Sequence, residues 1–322
     1  MTLNSMRYLV TGGAGFVGSH LVERLLQEGA FVRVLDNFST GDIRNIEPFL
    51  DRIELIEGDI RDKDIVRKAI ESVDIVYHQA AQINPAKAVE DPIFDFDVNV
   101  TGTLNLVFEA HRQKVKKFIM ASTNVYGNAQ CELMREDLST LALKDTLLSP
   151  YAAAKVSAEA YLKVLNDEFG LPTVRLRYTN VFGPRQLSKS ESGVIAIFVK
   201  AALHKRPMTI FGDGTHSRDF VYISDVVNAN ILAALYDEAS GDVFNVGTGV
   251  EVSVKELALM INQITGAEVP ILFTQDRAAD FVRVKADLGH INAVLGYEAK
   301  VNFEEGLREY IRWCQANLDR LQ

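Results

Sequence analysis

The sequence predicts an α/β protein, a doubly wound parallel sheet followed by a smaller C-terminal α/β lobe. Three observations carry that prediction. A short apolar strand at residues 8–10 runs into a glycine-rich turn, Thr11 to Gly18, that opens an amphipathic helix. A second strand, residues 31–35, ends in Asp36, about 20 residues beyond the turn. Short apolar strands then alternate with helices through the first half of the chain, as parallel strands covered on both faces do.

The turn comes first. Gly13, Gly15 and Gly18 fit G-x-G-x-x-G, and Gly12, Gly15 and Gly18 fit the looser G-x-x-G-x-x-G. Glycines at such positions allow a tight turn, let backbone N–H groups approach a pyrophosphate and bring helix against strand. The helix N-terminus adds partial positive charge for the phosphates. An acid at the position of Asp36 binds the adenosine ribose hydroxyls and repels a 2′-phosphate. The reading is therefore a Rossmann domain that prefers NAD to NADP.

Further strands are expected at residues 53–57, 75–78, 118–121 and 173–177, with helices at 63–71, 93–113 and from Tyr151. After Asn180 the alternation loosens. A loop around residues 183–192 precedes a helix at 194–204, a strand at 208–211 and the turn Gly212-Asp213-Gly214. Residues 243–246 read as one more strand of the main sheet. Ser253 and Glu256 form a capping box for a helix to about residue 265, and an amphipathic helix starts at Phe303. The expected division is an NAD-binding domain, 1–180, and a substrate lobe, 181–322, with segments from about 220–250 returning to the first domain.

Composition narrows the function. With 322 residues, 48% of them hydrophobic, the chain can bury a large core. A formal net charge of -9 argues against a nucleic-acid binder. Two cysteines, Cys131 and Cys314, and six histidines without an H-x-x-x-H pair offer no metal-ligand spacing and fit a reduced cytoplasm. No run of 18 apolar residues suggests a membrane span, and the N-terminus does not resemble a signal peptide.

The second chemical signal is Tyr151-Ala152-Ala153-Ala154-Lys155. Residues four apart share a helix face. An ammonium beside a phenol favours phenolate and draws the tyrosine from about 10 toward neutrality. Such a phenolate near a nicotinamide can take the proton of an alcohol while hydride leaves its carbon. Ser122, at the end of a strand, could bond the same oxygen. On spacing alone, Asn99 and Asn180 read as caps or turn residues, Arg218 as a surface ion pair with Asp219, His78 as a partner of a backbone group, and Tyr178 and Phe182 as core aromatics.

Together these residues resemble the extended short-chain dehydrogenase/reductases, specifically the nucleotide-sugar epimerase/dehydratase group, and most closely its UDP-sugar 4-epimerases. The resemblance runs almost end to end. It includes Thr11 to Gly18, Asp36-Asn37, Asp59-Ile60, His78 to Ala81, Asn99 to Thr103, Ser122 to Gly127, Tyr151 to Lys155, Arg177 to Gln186 and Gly212 through Val221. It implies a catalytic set of Ser122, Tyr151 and Lys155. It implies NAD contacts from Gly12, Gly15, Phe16, Val17, Gly18, Asp36, Asn37, Asp59, Ile60, Ala80, Ala81 and Asn99, with Tyr151 and Lys155 also near the cofactor. Asn180, Arg218 and Arg277 fall where the group holds the sugar nucleotide, and Val284 where a tyrosine narrows the sugar site. Val284 equally reads as an ordinary core-facing strand residue.

Thr123 and Asn124 stand where the group's 4,6-dehydratases carry Asp-Glu and its UDP-glucuronate decarboxylases keep a glutamate at the second position. An amide cannot abstract a proton, so 4-epimerisation is favoured. A nucleotide-sugar reductase or dehydrogenase, and a non-catalytic NAD-binding sensor or scaffold, remain as alternatives. The resemblance also implies a homodimer joined by helices 93–113 and 151–168, although some of Leu104, Val107 and Phe108 must face the chain's own sheet.

Overall fold

The computed structural model describes residues 3–126, 133–138, 149–187, 193–275, 283 and 285–321. The first half supplies strands β1 (Arg7–Thr11), β2 (Phe31–Asp36), β3 (Ile53–Glu57), β4 (Ile75–His78), β5 (Lys117–Thr123) and β6 (Thr173–Tyr178). The second supplies β7 (Asn180–Phe182), β8 (Met208–Phe211), β9 (Ser217–Tyr222), β10 (Val243–Val246), β11 (Glu251–Ser253) and β12 (Ile271–Thr274). The helices are α1 (Phe16–Gln27), α2 (Lys63–Ile70), α3 (Pro85–Glu90), α4 (Pro92–Phe96), α5 (Thr103–Arg112) and α6 (Pro150–Phe169), then α7 (Val194–Leu203), α8 (Ile223–Leu235), α9 (Val254–Thr265), α10 (Gly289–Leu295) and α11 (Phe303–Ala316).

Seven strands form one parallel sheet in the order β10-β6-β5-β4-β1-β2-β3. The chain winds outward from β1 to β3, returns beside β1 as β4, and winds the other way. That reversal leaves a crevice at the carboxyl ends of β1 and β4, where open α/β sheets bind ligands. The period-2 alternation of each strand feeds two layers. Leu9, Val76, Phe118 and Met120 pack with Val66, Leu106 and Leu162 of α2, α5 and α6. Tyr8, Val10, Tyr77 and Ile119 pack with Leu21 and Leu25 of α1 and Val226 of α8. This second cluster continues through Phe244 into Leu257 and Tyr310, so one apolar core joins the sheet to the C-terminal elements.

β10 pairs with β6 from Val243↔Arg175 to Val246↔Tyr178, and α8 packs on α1, so these late segments sit with the first half of the chain. Outside the main sheet, β7 pairs parallel and β11 antiparallel with β9, and β8 pairs parallel with β12. Ser253 and Glu256 form the capping box expected from their spacing.

The helix expected over 93–113 is divided. Residues Asp97–Gly102 form a π-helical turn between α4 and α5. Such turns inside helices often mark functional sites, and this one carries the buried Asn99. No described helix is long and apolar enough to cross a membrane.

Candidate active site

The glycine turn is explained by contact. Gly12 has φ +67, and a Cβ there would lie 2.7 Å from the Ala80 nitrogen. A Cβ on Gly13 would lie 2.7 Å from Val34 Cγ1, and one on Gly15 3.1 Å from the Gly12 carbonyl oxygen. At Gly18 it would strike that same carbonyl oxygen. The result is a close passage of β1 into α1, with Gly15 as the helix N-cap and Phe16 and Val17 as its first residues. Backbone N–H groups at that helix start have no intrahelical partner.

Asp36 ends β2 beside this turn. It is buried, and its Oδ2 accepts from the Ala14 N–H at 2.9 Å and its Oδ1 from the Phe38 N–H at 2.8 Å. Burial pushes its carboxyl upward, against the pull of those two bonds. Each oxygen keeps a further lone pair for a ribose hydroxyl. Asn37 Nδ2 donates to Asp59 Oδ2 at 2.8 Å, and Arg61 grips the same carboxylate at 2.9 Å. The Arg61 hydrogen bonds hold Asp59 down at about 2. Ile60 is buried against Gly102, where a Cβ would lie 2.6 Å from the isoleucine side chain. Ala80 and Ala81 follow β4, and the Ala80 N–H donates to Thr11 Oγ1 at 3.2 Å. The glycine turn thus meets Asp36 at the end of β2 and the start of the loop after β4. The glycine cradle and the acid at the end of β2 fit a dinucleotide.

Asn99 is neither a cap nor a surface turn residue. Its Oδ1 accepts from the Gln82 N–H at 3.1 Å, and its Nδ2 donates to Gln82 O at 2.9 Å and Asp95 Oδ1 at 3.0 Å. It pins the loop after β4 to the π-helical turn. His78 also departs from expectation. Its ring bridges Thr11 Oγ1 at 2.8 Å and Thr103 Oγ1 at 2.9 Å instead of meeting a backbone group. Burial, with a smaller contribution from the Lys155 charge, pushes it down to about 3, so it is neutral.

Tyr151 and Lys155 lie at the start of α6. Ser149 caps this helix by accepting from the Ala152 N–H at 3.2 Å, and Pro150 takes the first position. The Tyr151 hydroxyl is hydrogen-bonded to Thr123. Lys155 is buried and its Nζ donates to Ala121 O at 3.1 Å. Desolvation pushes the Tyr151 phenol up to about 12, the Thr123 bond opposes it and Asp95 adds to it. Desolvation pulls Lys155 down to about 8, against Asp95 and Glu159. The expected lowering of Tyr151 is therefore absent from the protein alone, because burial dominates and the ammonium is bonded to Ala121.

Ser122 is not at this hydroxyl. Successive residues of β5 face opposite sides. Ser122 follows Phe118 and Met120 toward α6, where its Oγ donates to Glu159 Oε1 at 2.5 Å. Glu159 pairs with Arg177 at 2.7 Å, Arg177 Nη1 donates to the Tyr126 hydroxyl at 3.0 Å, and that hydroxyl donates to Asn245 Oδ1 at 2.5 Å. Ser122 thus begins a buried polar chain behind the site. Thr123 carries the hydroxyl beside Tyr151. Sequence reasoning missed Glu159 and Asp95, although Tyr151, Lys155 and Glu159 follow one helix face at four-residue spacing.

Asn180 opens β7 and lines a cavity of about 160 Å³ with Thr179, Gln186, Gly193, Ile195 and Phe220. Thr179 Oγ1 and Gln186 Oε1 are buried there without a hydrogen-bond partner. Arg218, on β9, donates to Ser217 O at 2.8 Å. Its neighbour Asp219 is fully buried and accepts from Thr248, Gly249 and Ala286, which is not the environment of a surface ion pair. Tyr178 is a buried aromatic as expected, but its hydroxyl also meets Asn230 Oδ1 at 3.0 Å. Arg277 and Val284 lie outside the described residues. No group of three or more His, Cys, Asp or Glu among the described residues could hold a metal.

A family model described as the NAD dependent epimerase/dehydratase family matches residues 8–247. The chain is 38% identical over 313 residues to a UDP-glucose 4-epimerase of Mycolicibacterium smegmatis, covering 96% of this chain and 98% of that protein. It is 33% identical over 314 residues to a UDP-N-acetyl-alpha-D-glucosaminuronate decarboxylase of Bacillus cytotoxicus, covering 95% and 97%. Among solved structures, the UDP-glucose 4-epimerase of Thermus thermophilus in complex with NAD superposes with a TM-score of 0.88 at 37% identity, covering 97% of this chain and all of that one. Relatives of more than one reaction type therefore share this architecture.

Proposed function

The chain belongs to the NAD dependent epimerase/dehydratase family, and we propose that within it the protein is a nucleotide-sugar 4-epimerase acting on a UDP-hexose, UDP-N-acetylhexosamine or UDP-uronate. One observation carries this choice over water loss or decarboxylation. The two residues following Ser122, Thr123 and Asn124, carry a hydroxyl and an amide, not carboxyl groups. Thr123 meets the Tyr151 hydroxyl, and Asn124 keeps a buried Oδ1 without a partner.

The glycine turn and Asp36 would hold NAD, which would supply reversible hydride exchange at C4. Tyr151 removes the proton of the C4 hydroxyl and later returns it. Lys155, whose Nζ donates to Ala121 O one helical turn from Tyr151, brings a positive charge to the same side of the site. Thr123 can bond the same substrate oxygen and keep it in line with Tyr151. The cavity beside Asn180, with its two unpartnered polar atoms, can take a polar fragment of the nucleotide part. Binding energy from that remote part can hold the sugar through reorientation. The reading is tested with a panel of UDP- and dTDP-sugars followed by NMR. Inversion at C4 with unchanged mass is expected for at least one UDP-sugar, and a 4-keto-6-deoxy product, a pentose or released NADH would reject it.

The assembly proposed with this function is a homodimer. Ile93, Phe96, Phe108, Tyr161, Val164 and Phe169 of α4, α5 and α6 are exposed, while Val107 is buried and Leu104 packs on the chain's own core. A single species of twice the chain mass of 35.8 kDa is expected by sedimentation equilibrium. A monomer at all concentrations would contradict the proposal.

A further inference from the structure

Asp95 has no part in the scheme above, yet its placement is unusual. Its side chain is almost wholly enclosed, at 1% exposure. Charged side chains are seldom buried without a partner, because removing an ion from water is costly. Here Oδ1 accepts from Gln82 Nε2 at 2.7 Å and from Asn99 Nδ2 at 3.0 Å. Oδ2 is buried with no hydrogen-bond partner. The two bonds to Oδ1 come from different segments, the loop after β4 and the π-helical turn, and they fix the plane of the carboxyl group. α4 packs directly on α6, which carries the reacting residues.

We infer that Asp95 is a positioning residue of the active site, a buried carboxylate on the helix that packs against α6, set there to balance the charges of Tyr151 and Lys155. This rests on the epimerase reading only for its kinetic consequence.

The groups around Asp95 support one direction of effect. From α6, Lys155 and Tyr151 both interact with it electrostatically, and Glu159 acts on Lys155 from the same helix. From the loop and the π-helical turn it meets the amides of Gln82 and Asn99. Asp97, two residues on, acts on Arg61. From α3, Lys87 sits over the Phe94 ring at 4.6 Å, and Glu90 is exposed. Burial raises the Asp95 carboxyl, and the Gln82 and Asn99 bonds, with a smaller contribution from Lys155, draw it back down. A carboxylate so placed favours the ammonium of Lys155 and disfavours the phenolate of Tyr151. It therefore delays formation of the base until higher pH and keeps Lys155 charged.

Asn99 lies four residues beyond Asp95, the spacing of neighbours on one helix face. Its amide meets both Asp95 and the Gln82 backbone, so one side chain ties the acid to the loop after β4.

The test is Asp95→Asn, which keeps an oxygen for Gln82 and Asn99 and removes the charge. In the rate of C4 inversion, the acidic limb of the kcat profile should move to lower pH by about one unit. A second readout does not depend on turnover. The 13Cε resonance of Lys155, assigned through Lys155→Met, should titrate near pH 8 in the purified protein, and about one unit lower in Asp95→Asn. Asp95→Ser gives the same test if the amide is poorly accommodated. An unmoved limb and an unmoved resonance in a folded variant would overturn the inference. Absence of C4 inversion at every pH in the wild type would reject the epimerase reading, while the Lys155 titration would still decide the role of Asp95.

Discussion

Tyr151→Phe should lower turnover by a factor on the order of 100 or more, with the bound NAD content unchanged. The substitution removes one oxygen from a half-buried ring and leaves the helix intact. That oxygen is the group in hydrogen-bond contact with Thr123 and one helical turn from Lys155. No other described group has the same claim to the base. His78 is neutral, is held down at about 3 and is occupied by two threonines. Ser122 is turned toward Glu159. Steady-state kinetics on the best UDP-sugar, with nucleotide released by denaturation and assayed, would check both halves of the expectation. Turnover within a few-fold of wild type would assign the base elsewhere.

Glu159→Ala should destabilise the fold by about 3–5 kcal/mol, the range for removing one partner of a buried ion pair. The Glu159 and Arg177 side chains are only 6% and 8% exposed. Arg177 donates to both carboxylate oxygens, from Nε at 3.0 Å and from Nη2 at 2.7 Å. Removing the carboxylate leaves a guanidinium enclosed with only the Tyr126 hydroxyl as neutral partner, and also strips Ser122 of its acceptor. Urea unfolding monitored through Trp313 would measure the loss. Glu159→Gln, which keeps an acceptor for Ser122, should lose less. A change below about 1 kcal/mol in the alanine variant would mean that Arg177 finds another partner or water.

Much of this arrangement can be read from the chain because the signals are local. The glycine turn is written in residues 12–18, and its glycines are explained by contacts with Ala80, Val34 and Gly12 itself. Asp36 at a strand end and Tyr151 with Lys155 on one helix face follow from short-range geometry. Which of Ser122 and Thr123 meets Tyr151 was not legible, because that depends on where α6 crosses the end of β5. Asp95 was hidden for a similar reason. Its partners, Gln82 and Asn99, converge through a π-helical turn that no periodicity announces. Asp219 read as a surface residue beside Arg218, yet loops from residues 248–249 and 286 close over it. Long-range burial decided each of these cases, and sequence spacing carries little of it.

The central claim is that C4 is oxidised and reduced again at one site without loss of any group. It is tested most directly with a UDP-sugar carrying deuterium at C4, the product being examined by NMR and mass spectrometry. The account predicts inverted configuration at C4, deuterium retained on that carbon and a mass equal to the substrate's. Deuterium lost to solvent, or a product lighter by water or carbon dioxide, would contradict it.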